Sequence, residues 1–510
     1  MDILVLCDQA KKTARNWAKN QLPTIKNKVK PLKNFPDEII LDGLVNNWFE
    51  LFDEKIKNRQ EKFYLAQTAS AIKKVEVSVY RKALKKVGKK QLNCWGIDEK
   101  QRNLLLGDTA TPGLLEVAGR ADSLFLRFLQ ASYFSPQLLD NQPAKQKSFA
   151  VINKLFPKES GDISLGLINI SQQNRWFSEE QSSLLFQRYL KILSSFFSDL
   201  NYKKIVKKQK AIEKIYSQCL RSGFPIVLTP PLETSQFEPY LDPELRISFR
   251  DKKTKNQEKT FQTLKKNLSG IIKNKQIEQR DIFLVNPIVS FGVNLVFCGT
   301  AQEKPEIVLF LREQKESYDK ALPTIVNKFM AAAINETTVE KMSLFLTIFH
   351  EIFHLTGENS PCLKNLIKKT SGKLGLRDAL ETEAEILYRS WLLKMSESKK
   401  LFGHKEQWAY AMTASSLQAL KDLPENNSYF KAACYTLNEL FAQKIVYLKD
   451  KQFYIKKENN YQDFSYAQNQ LVKNYLLALK KNNFPSVSYL LANLKPNKQL
   501  CSAISFLKAS

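Results

Sequence analysis

Through most of the first 220 positions, apolar residues recur every three or four places, most clearly in Leu114–Tyr133 and Ser183–Tyr202. That period predicts amphipathic helices whose apolar stripes share a core. Pro157, Gly161 and Gly166 predict breaks in the second half of this region, and no repeat of 20–50 residues is visible. The pattern changes at Ser222-Gly223-Phe224-Pro225. Ile226-Val227-Leu228 is a short apolar run stopped by Pro230-Pro231, and Leu245–Phe249 alternates. Asp281–Leu284, Val289–Phe297 and Glu306–Leu311 are rich in Val, Ile and Phe and bounded by Pro or Gly, which predicts strands. A polar, lysine-rich, helix-like stretch, Asn256–Lys273, lies between them. From Ala321 to about Leu494 the helical period returns. Met342–Leu355 is strongly apolar and closed by Gly357 and Pro361; further helices are expected at Leu376–Lys394, Phe464–Lys480 and Val487–Leu494.

These elements predict a predominantly helical α+β protein in three parts: a helical region 1–220, a β-containing segment 221–320 and a helical domain 321–510. The 510 residues are long enough for two to four domains, and 43% hydrophobic content supplies ample core. No apolar run is long enough to span a membrane, and the first residues lack the basic start of a signal peptide. Seven widely spaced cysteines without CxxC argue against a disulfide framework and fit a reducing compartment. The expectation is a soluble cytoplasmic protein.

Charge adds a second signal. Lys and Arg number 78 against 51 Asp and Glu, a formal +27. Clusters at Lys85–Lys90, Lys203–Lys210 and Lys252–Lys275 could contact nucleic acid or an anionic surface. Lysine predominates over arginine and the clusters are scattered, so a solvated surface fits better; base and phosphate recognition favours the arginine fork.

The chemistry rests on a scarcer residue. Two of only three histidines fall in His350-Glu351-Ile352-Phe353-His354, an HExxH on an apolar helix. Chance would produce this motif only about 0.001 times in such a chain. The i,i+4 spacing puts both imidazoles on one face, where they can share one zinc ion, with Glu351 placed as general base. A third ligand is required. Glu381 and Glu385 are four apart on the next predicted helix, 27 residues beyond His354. Glu381 is read as that ligand and Glu385 as the carboxylate that holds a ligand histidine by its other ring nitrogen. Glu383, turned about 160° from Glu381, reads as part of a solvated acidic face. His404 reads as a surface histidine and Cys362 as structural. Nucleotide-binding GxGxxG and GxxxxGK[ST] motifs and the hydrolase GxSxG are absent from the sequence.

Together these residues resemble the dipeptidyl-peptidase III family, in particular its divergent bacterial members, which carry a five-residue HExxH where the peptidases proper carry HExxGH. Glu381-Thr382-Glu383-Ala384-Glu385 is similar to the family's Glu-x-x-Ala-Asp/Glu. Pro231-Leu232-Glu233-Thr234 resembles the segment whose Glu receives a peptide amino terminus, which assigns Glu233 to substrate binding. Val289–Leu295 resembles the strand that presents an Asn, here Asn294, to the substrate backbone. The tail from Ser428 to Leu494 also runs parallel to the family, and the resemblance spans about residues 220–495. It implies a two-lobed zinc-peptidase-like architecture, with a cleft between a helical zinc-bearing lobe and a strand-containing lobe. It also implies one Zn²⁺ and hydrolysis of short peptides from a free amino terminus, as a dipeptidyl peptidase or aminopeptidase. Three positions depart from the family. Its later histidine is replaced by Tyr429, the tyrosine after Glu-Thr by Ser235, and an arginine by Ala433. The Tyr429 hydroxyl is expected to donate to an oxyanion in the histidine's place. Two rival readings are a zinc hydrolase acting on a non-peptide amide or ester, and a degenerate binding protein that uses its basic surface.

Overall fold

The computed structural model describes residues 3–45, 52, 55–135, 137, 149–234, 240–242, 244–250, 254–263, 281–289, 296–298, 307–310, 321–331, 334–353, 361–370, 373–397, 402–456, 461–481 and 484–509. They divide into two compact units. One is drawn from 1–267 and 280–312, and the other has its described residues within 313–510. Most are helical.

In the first unit the long helices Ile3–Lys28 and Arg59–Lys86 pack together. Ala14, Ala18, Ile25, Ile40, Leu44 and Ile72 form a local core there. A larger core joins helices Leu114–Phe134, Pro157–Ser171, Gln181–Ser198 and Tyr202–Ser222 to a sheet. The last of these helices ends at Gly223 in the left-handed region (φ 79°), where only glycine is unstrained. This is the point at which the sequence pattern changes. The expected break at Pro157 is present, because helix Phe149–Leu155 ends just before it and a new helix begins at it, whereas Gly161 and Gly166 do not break that helix. Pro157 occupies the first turn, where its missing N–H costs nothing, and the helix runs on to Ser171. Gly166 permits close packing, since a Cβ there would stand 2.8 Å from Val117 Cγ2.

The strands are β1 (Ile226–Thr229), β2 (Leu232–Thr234), β3 (Tyr240–Asp242), β4 (Arg246–Phe249), β5 (Ile282–Val289), β6 (Val296–Cys298) and β7 (Ile307–Phe310). Five form one mixed sheet in the order β1-β4-β5-β7-β6, while β2 and β3 pair separately. The predicted break between two strands near residue 285 is instead one continuous strand. The first half of β5 pairs in parallel with β7, and its second half pairs antiparallel with β4. Pro287 is tolerated because it lies opposite Ser248, beside a register irregularity in β4. Residues 254–263 are helical; the rest of the expected lysine-rich helix lies outside the described residues.

The second unit is built around helix Leu376–Glu397, which packs on Glu336–Phe353, Lys405–Asp422, Ser428–Ala442 and Gln462–Lys481. Leu366, Leu380, Ile386, Tyr435, Leu471 and Tyr475 form part of its core. A hairpin, β8 (Val446–Lys449) and β9 (Gln452–Ile455), interrupts what the sequence pattern reads as helix. Its two turn residues, Asp450 and Lys451, both have positive φ (49° and 62°), the mirror-image turn that suits strand twist. A terminal helix, Lys498–Ala509, follows Phe484–Asn493.

The lysines at 85, 86, 89, 90, 203, 204, 207 and 210 are exposed and lie on three helices, Arg59–Lys86, Lys89–Cys94 and Tyr202–Ser222. No described helix is long and apolar enough to cross a membrane. Cysteine burial yields a direct prediction. Burial pushes the Cys219 and Cys434 thiols up to about 12, whereas Cys94 and Cys501 are exposed. A thiol-reactive disulfide reagent should label Cys94 and Cys501 in the native protein, and Cys219 and Cys434 only after denaturation. Mass mapping of labelled peptides checks this, and early labelling of Cys434 would contradict it.

Candidate active site

Helix Glu336–Phe353 carries His350 and Glu351 near its C-terminal end. Its apolar side is gripped by aromatic rings: Phe345 meets Phe402 (centroids 4.9 Å) and Trp408 (6.2 Å), and Phe349 meets Trp391 (4.7 Å). Trp408 is fully buried and donates its Nε1–H to the Phe402 carbonyl at 2.9 Å. His350 is thereby held inward and is only 6% exposed, while Glu351 beside it is half-buried.

Helix Leu376–Glu397 supplies the facing groups. His350 Nε2 stands 3.0 Å from Glu381 Oε2, and His350 Nδ1 stands 3.0 Å from Glu385 Oε1. The i,i+4 spacing of the carboxylates on one helical face makes this possible. Burial disfavours the imidazolium, but hydrogen bonds from Glu381 and Glu385, then their charges, outweigh it and raise the His350 pKa well above its ordinary value. Burial also disfavours the Glu385 carboxylate. The charge of Arg389, with His350 and Tyr388, overrides that and lowers its pKa to about 2. Glu381 and Glu385 are thus paired with His350 and Arg389, and Glu381 also with the exposed Arg377 at 3.7 Å, which is how charge survives out of water.

Sequence reasoning missed the outer part of this cluster. Glu385 Oε2 receives Arg389 Nη2 at 2.5 Å and the Tyr388 hydroxyl at 3.1 Å. Asp378 was missed as well. Its carboxylate accepts from Ser428 Oγ (2.7 Å) and Lys431 Nζ (2.8 Å), tying the start of helix Ser428–Ala442 to the carboxylate-bearing helix. That junction carries Tyr429, whose ring centroid is 5.7 Å from that of His350. A Glu-to-Arg step of four residues was the available signal for Arg389, although such pairs more often decorate a surface.

The structure therefore brings His350, Glu381, Glu385 and Tyr429 together. His354 and Asn294 lie outside the described residues, as does Ser235. Glu233 is described only in its backbone, within β2, opposite Leu241 of β3. Ala433 is buried among apolar neighbours on its helix. His404 is exposed at the start of helix Lys405–Asp422, in keeping with a surface residue, and Cys362 is half-buried against the core. Glu383 is not on a solvated face: it is 5% exposed. Helix Leu376–Glu397 is enclosed on nearly all sides, with Ala379, Thr382, Ala384 and Ile386 fully buried, so over much of its length it has no water-facing side.

Among the described residues, no group of three or more His, Cys, Asp or Glu side chains is arranged as a metal site. The donor atoms that are described nevertheless suit a zinc ion. Two ligand atoms at ordinary zinc distances in a tetrahedral site are separated by about 3.3 Å, close to the 3.0 Å between His350 Nε2 and Glu381 Oε2. The carboxylate on His350 Nδ1 is the usual support for a ligand imidazole.

The arrangement is thus a helical α+β fold in which the helix carrying His350 and Glu351 faces a carboxylate helix. No protein-family model matches the chain, and no curated protein matches its sequence. Among solved structures, it is similar to dipeptidyl-peptidase III from Caldithrix abyssi, with a TM-score of 0.53 and 13% identity over 99% of this chain and 93% of that one. It is also similar to dipeptidyl-peptidase III from Corallococcus sp. strain EGB, with a TM-score of 0.50 and 14% identity over 70% of this chain and 67% of that one. The chain has a dipeptidyl-peptidase III-like fold.

Proposed function

We propose that this protein is a zinc-dependent peptidase of the gluzincin type that cleaves short peptides from a free amino terminus. The observation that carries this reading is the His350 imidazole held between Glu381 and Glu385 at 3.0 Å on each side. His350, His354 and Glu381 would hold the ion. When bound, the ion supplies Lewis acidity toward water and the scissile carbonyl. Glu351 takes the proton from the attacking water on its carboxylate and hands it to the leaving amine nitrogen. The Tyr429 hydroxyl donates a hydrogen bond to the oxygen that becomes negative. Glu233 pairs with the peptide's ammonium group, and the Asn294 amide bonds its backbone.

Metal analysis together with digestion of a peptide library, offered both free and N-acetylated, tests the reading. The expected result is one zinc per chain and cleavage confined to free amino termini, with Glu233→Gln raising KM for those peptides. Zinc with equal cleavage of acetylated peptides would remove the role of Glu233. Absence of zinc would remove the mechanism.

A further inference from the structure

Glu385 can orient His350 only if its own carboxylate is prevented from turning, because the terminal torsion of Glu is broad and nearly two-fold. Five bonds prevent this. Arg389 Nη2 and the Tyr388 hydroxyl both bind Oε2, at 2.5 and 3.1 Å, which leaves Oε1 for His350 Nδ1. Arg389 Nε donates to the Tyr388 hydroxyl at 3.2 Å, so the two holding groups are fixed to one another. Arg389 Nη1 donates to the Met412 carbonyl (3.0 Å) and to Ser416 Oγ (2.8 Å), both on helix Lys405–Asp422. The guanidinium is 2% exposed and makes bonds through all three of its nitrogens. A lysine, with one nitrogen on a flexible stem, cannot reproduce that fork.

We propose that Arg389 is a positioning residue for the metal centre. Through Glu385 it keeps a proton on His350 Nδ1, so that Nε2, once it gives up its own proton, offers its lone pair to the ion. Three helices are coupled in this way: Lys405–Asp422 anchors Arg389, Leu376–Glu397 carries it with Glu385, and Glu336–Phe353 carries the ring they orient. The inference rests on the zinc reading above and adds a determinant that HExxH and the two carboxylates do not contain.

The test compares wild type with Arg389→Met, Arg389→Lys and Tyr388→Phe. Zinc affinity is measured by competition with a chromophoric chelator, and the ligand field by the visible absorption of the cobalt-substituted proteins. Loss of a group that supports a metal ligand lowers affinity by about 10–100-fold, and that is the expectation for Arg389→Met, with little rescue by Lys and a smaller loss for Tyr388→Phe. The cobalt bands should shift in the same order, which a role in stability alone would not produce. Wild-type affinity and an unchanged cobalt spectrum in the variants would overturn the proposal, whatever their melting temperatures. If Arg389→Met does not fold, Tyr388→Phe decides the matter, because it removes only a hydroxyl. Failure of the wild type itself to bind zinc would overturn the metal centre and this role together; zinc-loaded variants indistinguishable from wild type would overturn only the role.

Discussion

Replacing Glu351 by Gln is expected to lower kcat on a cleaved peptide by about 10²–10⁴-fold, the usual contribution of a positioned general base, with zinc content unchanged. The substitution keeps the size of the side chain and removes only its ability to take a proton. Glu351 neighbours the inward-facing His350 but is itself half-buried, so the amide is tolerated by the fold. The same substitution at Glu381 or Glu385 would remove a charge from the buried cluster and mix structural with chemical effects. Steady-state kinetics with metal analysis of both proteins is the measurement. Identical rates would mean that any hydrolysis does not pass through Glu351, and would return attention to a binding role.

The second large effect is on stability. Trp408→Ala is expected to cost about 3–5 kcal/mol, the range for deleting a large buried aromatic side chain. The indole is fully buried, meets Phe345 and Phe402 and donates to the Phe402 carbonyl. Its removal leaves a cavity beneath the helix that carries His350 and leaves that carbonyl without its indole donor. Trp408→Phe should cost less, since a ring remains to meet Phe345. Denaturant unfolding followed by circular dichroism gives the comparison, and a Trp408→Ala midpoint equal to wild type would contradict it.

What could be read from the sequence follows from where periodicity carries information. Helices with one wet face, such as Leu114–Phe134 and Gln181–Ser198, stand close to where their apolar stripes place them. The Glu381/Glu385 pair was legible because the four-residue spacing translates directly into a shared face, and both carboxylates meet His350. Glu383 was misread by the same logic: a helix enclosed on nearly every side offers no water-facing stripe, so rotation about the axis says nothing about exposure. The hairpin at 446–455 was missed because its turn is Asp450-Lys451, without the glycine that usually announces positive φ. Asp378 and Arg389 were invisible for another reason: their partners Ser428, Lys431, Met412 and Ser416 lie 23 to 53 residues away along the chain.

The placement of Glu381, Glu385, Tyr388 and Arg389 on a single helix also limits how this stretch can vary. Each residue advances an α-helix by about 1.5 Å and turns it by about 100°. One residue inserted between 385 and 389 would swing the guanidinium a quarter-turn away from the carboxylate it holds. One inserted between 381 and 385 would separate the two groups that flank His350. Substitutions here can be graded, as Lys for Arg or Phe for Tyr, but a change of length cannot. Across this segment the helix works as a ruler, and only its markings can be rewritten.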